Sequence, residues 1–262
     1  MRRFVMGDIH GEYEYLVDVL KKSGFDYGED LLIQLGDLVD RGPEPFKCIE
    51  ELMKIKNTVF IKGNHDECFM IWRATKKHPL GDHPFNGVWP TLKAWESLEL
   101  SMKYDVVYRF FKKQVPYHIT EDNIMFVHGG FPIDVPLEEI DDHTFMWDRD
   151  LVKLTTVGDQ FTEGYIVPTL NNFKRIYLGH TPTIYWDIFT PMNGCGVWNI
   201  DTGCGKGGPL TIMNIDTGEY WQSGPKIPKY EEEKEAQKSE NEQVHTGVSG
   251  TEKETEGTSV AR

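Results

Sequence analysis

Gly36-Asp37-Leu38-Val39-Asp40-Arg41-Gly42 follows the apolar run Leu31-Leu32-Ile33-Gln34-Leu35. It reads as the loop leaving a buried strand. Asp37 and Asp40 stand three residues apart and Arg41 follows at once. Such a loop can offer a metal-bridging oxygen, an acceptor behind it and a planar anion clamp. The same residues also suit a helix start, with an aspartate as N-cap and the arginine on the surface. Recurrence separates the two readings, because apolar run, glycine and polar ligand return elsewhere in the chain.

Upstream, Arg3-Phe4-Val5-Met6 reads as a strand ended by Gly7-Asp8-Ile9-His10-Gly11. In extended backbone i and i+2 share a face, so Asp8 and His10 point the same way. Between 12 and 22, Tyr15, Leu16, Val19 and Leu20 recur at helical spacing and Gly24 closes the segment, which predicts a covering helix. Downstream, Pro43-Glu44-Pro45 predicts a turn and residues 46–53 a second helix. Thr58-Val59-Phe60-Ile61 is a third strand, ending in Lys62-Gly63-Asn64-His65-Asp66. Residues 123–127 form a fourth before His128-Gly129-Gly130, and 175–178 the next before Gly179-His180-Thr181-Pro182. Strand, ligand loop and helix in succession predict an α/β fold. Residues 197–200 and 210–213 alternate, with Asp-Thr-Gly turns at 201–203 and 216–218, and read as antiparallel strands completing a sheet. Lys206-Gly207-Gly208 reads as a flexible loop; no Gly-Lys-Ser/Thr follows that would make it a P-loop.

The 262 residues, 39% hydrophobic and 12% aromatic, suffice for one large core. A catalytic domain is expected over 1–224, with a helical insertion at about 67–115 whose aromatics either shape access to the site or simply build core. That insertion is interrupted by the Gly/Pro-rich stretch 78–90. Residues 225–262, rich in Glu, Lys, Ser, Thr and Gly, read as a disordered acidic tail. A net charge of −14 argues against a nucleic-acid binder but leaves room for a small phosphorylated substrate. No apolar run reaches the roughly 18 residues of a membrane span, and Met1 to Met6 is too short for a signal peptide. Four cysteines show no C-x-x-C spacing, so neither a thiolate zinc site nor a redox pair is indicated. A cytoplasmic monomer is expected, without membrane or nucleic-acid partners.

Five loops thus supply Asp8 and His10, Asp37, Asn64, His128 and His180, and no thiolate. If the apolar runs are neighbouring strands, their ends converge and the set forms a two-metal site. Asn64 fits, because an amide oxygen suits a hard dication whose charge is already offset by shared carboxylates. Manganese is the expected metal, with iron or zinc as alternatives on the same donors. Two dications can hold a bridging hydroxide and aim it at phosphorus opposite the leaving group. Arg41 and Arg149 suit the phosphate clamp. His65 suits the general acid, with Asp40 holding its other nitrogen.

Together Gly7-Asp8-Ile9-His10-Gly11, the opening heptapeptide, Gly63-Asn64-His65-Asp66, His128-Gly129-Gly130 and Gly179-His180 resemble the motifs of the calcineurin-like metallophosphoesterases over residues 3–222. Within these the chain is most similar to the bacterial and phage branch of the phosphoprotein phosphatases. The resemblance implies a central β-sandwich of two mixed sheets flanked by helices, with the dimetal site at the strand ends. It implies one metal on Asp8, His10 and Asp37, and a second on Asp37, Asn64, His128 and His180. It also supports Arg41 and Arg149 on phosphate and the pairing of His65 with Asp40. Pro182 stands where nuclease branches carry a further histidine, and Lys62 where phosphatases commonly carry arginine. The expected activity is hydrolysis of phosphoserine, phosphothreonine and also phosphotyrosine in proteins by a dimetal-bridging hydroxide. The alternatives are a symmetric dinucleoside tetraphosphate hydrolase and a catalytically silent binding module.

Overall fold

In β1 (Arg3–Met6), Phe4 and Met6 pack on one side and Val5 on the other, all fully buried. A strand covered on both faces needs apolar residues at every position, so it reads as a run and not as an alternation. The computed structural model describes residues 1–81, 86–157 and 172–224. Among these the strands form two five-stranded mixed sheets. The first runs, edge to edge, β10 (Tyr220–Ser223), β9 (Leu210–Asn214), β1, β2 (Leu31–Gln34) and β3 (Asn57–Phe60). Its β1, β2 and β3 are parallel, and β9 is antiparallel to β1. The second runs β4 (Tyr117–Ile119), β5 (Ile124–Val127), β6 (Arg175–Leu178), β8 (Val197–Asn199) and β7 (Met192–Gly194), parallel except at its two edges.

Parallel neighbours need crossovers, supplied by α1 (Tyr13–Lys22) and α2 (Pro45–Leu52). Their apolar stripes, Leu16, Val19 and Leu20 on one and Phe46, Ile49 and Leu52 on the other, cover the face that carries Phe4, Met6, Leu32 and Phe60. Between the sheets lie Val5, Ile33, Ile124, Phe126, Tyr177 and Met213, with the Phe126 and Tyr177 rings stacked at 5.2 Å. Beyond the second sheet, Met125, Val127, Ile176 and Leu178 pack on Phe131, Phe145, Leu151 and Val152. The molecule is therefore the expected sandwich flanked by helices. Each large side chain so buried contributes about 1.5–3 kcal/mol.

Two local expectations change. Residues 197–200 and 210–213 are strands but not partners: β8 lies beside β6 in the second sheet and β9 beside β1 in the first. Alternation identifies a half-covered strand but carries no information about its neighbour. The connection 201–208 consequently crosses from sheet to sheet. It is tied by Lys206 and Gly208 amides donating to the Gly203 carbonyl, each at 2.9 Å, so it is a hydrogen-bonded pair of turns and not a flexible loop. A helix, α3 (Asn64–Thr75), has Asn64 as its first residue and runs into the segment expected as a helical insertion. It continues in α4 (Trp89–Ser97) and α5 (Leu100–Asp105), which runs into a π-helical turn, Val106–Phe110. Phe69, Trp72, Trp95, Phe110 and Phe111 are core, whereas Trp89, Tyr104 and Tyr108 are exposed.

The described residues belong to one compact unit, Met1–Lys226. Residues 82–85 of the Gly/Pro interruption and the acidic segment 225–262 lie outside the described residues. No described helix is long and apolar enough to cross a membrane.

Candidate metal centre

The ends of β1, β2, β5 and β6 and the start of α3 bring the five ligand loops together. The backbone there is bent hard. His10, Asp37, Asp40, Arg41 and His180 all have positive φ, at 48°, 55°, 70°, 70° and 66°. Each such residue costs about 1–3 kcal/mol and persists only where its surroundings hold it. Two glycines allow the approach. A Cβ on Gly63 would lie 2.2 Å from the Asp37 amide nitrogen, and one on Gly179 would lie 2.3 Å from Asp8 Oδ1.

Donor atoms of Asp37, His128 and His180 lie within 4.8 Å of one another, and so do those of His10, Asp37 and His65. Asp37 is common to both groups, as a bridging carboxylate must be. His10 Nδ1 donates to the Val39 carbonyl at 2.8 Å and His128 Nδ1 to the Leu35 carbonyl at 2.7 Å. Both imidazoles thus turn Nε2 toward the centre, the orientation a metal-binding histidine takes from such a partner. His128 Nε2 stands 3.0 Å from Asn64 Oδ1 and 3.4 Å from Asp37 Oδ1. His10 Nε2 is 3.6 Å from Asp37 Oδ2 and 3.9 Å from Asp8 Oδ2. Asp8 also accepts the His180 amide, at 3.2 Å to Oδ2. His180 Nε2 is buried with no hydrogen-bond partner among the described residues.

The electrostatics suit a cation. Burial pushes the Asp8 carboxyl well above the usual carboxylate range, and the nearby Asp201 adds to it. Burial opposes ionisation of Asp37 as well, but His128, His65 and His10 outweigh it and hold that carboxyl well below the usual range. Burial holds His10 and His180 well below an ordinary histidine, helped by Arg41 at the first and by His128 and Arg149 at the second. For His128, burial is overcome by Asp37 and Asp8, which raise it to about 9. Buried carboxylates, imidazoles of which those of His10 and His180 are held neutral, one amide oxygen and an orphaned buried Nε2 make a donor set that fits divalent cations.

Around these donors sit the groups expected to act on phosphate. His65 Nδ1 and Asp40 Oδ2 are 2.7 Å apart, both buried. The Arg41 guanidinium reaches His10 Nε2 and, at 3.1 Å, His65 Nε2. Arg149 is no ordinary surface ion pair: its Nη1 donates to the His180 carbonyl at 3.0 Å and to Thr181 Oγ1 at 3.1 Å. Lys62 instead faces Asp142, 3.7 Å away.

Sequence reasoning missed the supports. Asp66 accepts the amides of Asp37 at 3.1 Å and Leu38 at 2.9 Å, and Gln114 Nε2 at 2.7 Å, so it holds the bridging loop. Its place after His65 in the third motif was the one available signal. Thr91 Oγ1 accepts the Asp40 amide, and the Gly87 carbonyl accepts the Arg41 amide, each at 2.7 Å. These fasten α4 to the loop that opened the reading. Asp201, buried behind Asp8, accepts the Gly203 amide at 3.0 Å, and its Oδ2 has no partner among the described residues.

The chain is similar to known proteins in sequence and in fold. The chain is 26% identical over 214 residues to Serine/threonine-protein phosphatase 1 of Salmonella typhimurium, across 81% of this chain and 91% of that one. It is equally 26% identical, over 279 residues, to the symmetrical bis(5'-nucleosyl)-tetraphosphatase of Pseudomonas fluorescens, across 84% and 94% of the two chains. Its fold is similar to that of a crystal structure of a proposed diadenosine tetraphosphatase, with a TM-score of 0.60 at 18% identity, covering 85% of this chain and 93% of the other. The profile of the calcineurin-like phosphoesterases matches residues 1–203. That span contains every residue gathered at the centre, from Asp8 to Asp201, and the chain belongs to the calcineurin-like phosphoesterase family.

Proposed function

We propose that this metallophosphoesterase is a protein phosphatase that removes phosphate from serine and threonine, and also from tyrosine. The observation that carries the reading is the buried His65–Asp40 pair at 2.7 Å. A serine or threonine alkoxide is a poor leaving group and must be protonated as it departs, which calls for a positioned acid. A nucleotide leaving from a phosphoanhydride is already a stable anion and needs little help. Asp40 orients the His65 ring so that Nε2 faces the substrate side, where Arg41 also lies.

On this reading one metal would sit on Asp8, His10 and Asp37, and the second on Asp37, Asn64, His128 and His180. Manganese is proposed, and iron or zinc would suit the same oxygen and imidazole donors. Bound there, two divalent cations supply Lewis-acid chemistry and make a hydrolytic water acidic enough to attack near neutral pH. The chain's own part is to place and neutralise the phosphate. Arg41, whose Nε is buried with no partner among the described residues, and Arg149, anchored to the His180 loop, hold its non-bridging oxygens. Action as a cytoplasmic monomer belongs to the same proposal, and gel filtration with cell fractionation tests it.

The second reading, a symmetrical dinucleoside tetraphosphatase, is favoured by the relative of that name, which is as similar as the phosphatase. His65→Asn separates the two. On a phosphoserine peptide the rate should fall about 10²–10⁴-fold, and on p-nitrophenyl phosphate, whose phenolate leaves unaided, far less. Equal losses on both substrates would remove His65 from the acid role and the protein-phosphatase reading with it.

A further inference from the structure

A groove of about 640 Å³ opens beside Arg41, lined by Pro43, Trp89, Pro90, Lys93 and Ser97 among others. Trp89, Lys93 and Ser97 stand one helical turn apart on α4, forming a row about 12 Å long, the reach of three to four extended residues. Trp72 and Trp95 of the same insertion are core, but Trp89 remains 60% exposed and shares the groove lining with two prolines. Among the described residues, the charges lining the groove are those of Arg41 and Lys93, in a chain of net charge −14. Among the described residues no carboxylate lies within ion-pair distance of Lys93. Trp89 and Lys93 also line the adjacent groove, together with Trp72, Lys76 and Glu96. The wall is also tied to the Asp40–Arg41 backbone, through Thr91 and Gly87.

We infer that this groove receives the polypeptide flanking the phosphorylated residue and selects a chain with an acidic side chain for Lys93 and an apolar one or proline for Trp89. The inference rests on the protein-phosphatase reading and extends it to substrate sequence. Continuity is the first support. Arg41 is itself part of the lining, so a chain whose phosphate is held there can run along this wall. Charge is the second, because Arg41 and Lys93 in the lining attract acidic substrates and repel basic ones. The apolar face is the third. An exposed indole in a lining with prolines is a surface that extended, proline-containing segments pack against. A nucleobase would want its edges read by buried donors and acceptors, and among the described residues of the lining Ser97 is the one neutral polar side chain.

The test uses the full chain with Mn²⁺ and pairs of phosphothreonine peptides that differ only by Glu or Lys, placed in turn at the four positions on either side of the phosphoresidue. The quantity read is the Glu-to-Lys ratio of kcat/KM, in which any general loss from misfolding cancels. At one or more positions the wild type should favour Glu about fivefold, and Lys93→Glu should invert that ratio. Trp89→Ala should raise KM for peptides with proline or leucine toward the value for glycine. A ratio that stays the same in Lys93→Glu, on peptides that are still hydrolysed, overturns the groove and leaves the phosphatase reading intact. If no peptide is turned over while Trp89→Ala and Lys93→Glu raise KM for diadenosine tetraphosphate, both fall and the groove holds a nucleoside.

Discussion

Replacing Thr91 by valine tests whether the helical insertion helps build the catalytic loop. The side chain is fully buried, and its Oγ1 accepts the Asp40 amide at 2.7 Å. Valine keeps the shape and removes the acceptor, so a buried N–H is left unpaired at a cost of about 1–3 kcal/mol. For a domain of this size each kcal/mol lowers Tm by about 2–4 °C, which gives an expected fall of about 2–12 °C. The damage should be local as well as global. Asp40 sits at a φ of 70°, a conformation it keeps only while its neighbours hold it. Once the amide is free the loop can relax, and the carboxylate that orients His65 goes with it. The expected kinetic sign is a larger drop in kcat on a phosphoserine peptide than on p-nitrophenyl phosphate, with KM for phosphate esters little changed. Thr91→Ser restores the acceptor and should recover most of kcat despite the lost methyl. An unchanged Tm with unchanged kcat on both substrates would refute the claim that α4 fastens the loop. A lower Tm with equal kinetic losses would reduce Thr91 to a stabilising contact.

Other expectations follow from the same geometry. Asn64→Ala should lower metal content from two ions toward one per chain and weaken the second site by at least about 10-fold, read by elemental analysis and metal titration. Gly63→Ala would place a Cβ 2.2 Å from the Asp37 amide, so the ligand loop must shift; a loss of about 1–3 kcal/mol in urea unfolding, with weakened metal binding, is expected. Arg3 bridges the two sheets, meeting Asp122 at 2.8 Å and also Asp216, and its hydrogen bonds hold the Asp122 carboxyl well below the usual range. Because that carboxyl is depressed in the folded chain, the stabilisation is present above about pH 4 and is lost as pH falls further. Arg3→Leu should therefore cost about 0.5–1 kcal/mol at pH 7, a gap that closes on acidification; a constant gap from pH 7 to 3 would contradict it.

The strands at 3–6, 31–34 and 175–178 were readable because both their faces are covered, and the ligand loops because each follows such a run with a glycine. Asp8, His10, Asp37, Asn64, His128 and His180 were legible as a set, since so many donor types after so many strands have no common structural use. The edge strands β4, β7 and β10 were not. They are three or four residues long and mix polar with apolar side chains, so they exist through pairing and not through pattern. The destination of β8 and β9 was hidden for a related reason: pairing is decided by distant neighbours. Asp66, which accepts two backbone amides, showed only in its place after His65, and Thr91, Gly87 and Asp201 escaped notice because what each does is accept one backbone amide or press one charge on the site. Nothing in local sequence marks a residue for that work.

The most direct test of the central claim is phosphate release by the purified chain with Mn²⁺, comparing a phosphothreonine peptide with diadenosine tetraphosphate at matched concentration. The account predicts metal-dependent turnover with higher kcat/KM on the peptide, abolished by chelator and restored by adding the metal back. Metal-dependent turnover of the dinucleotide alone, with the peptide untouched, would contradict it.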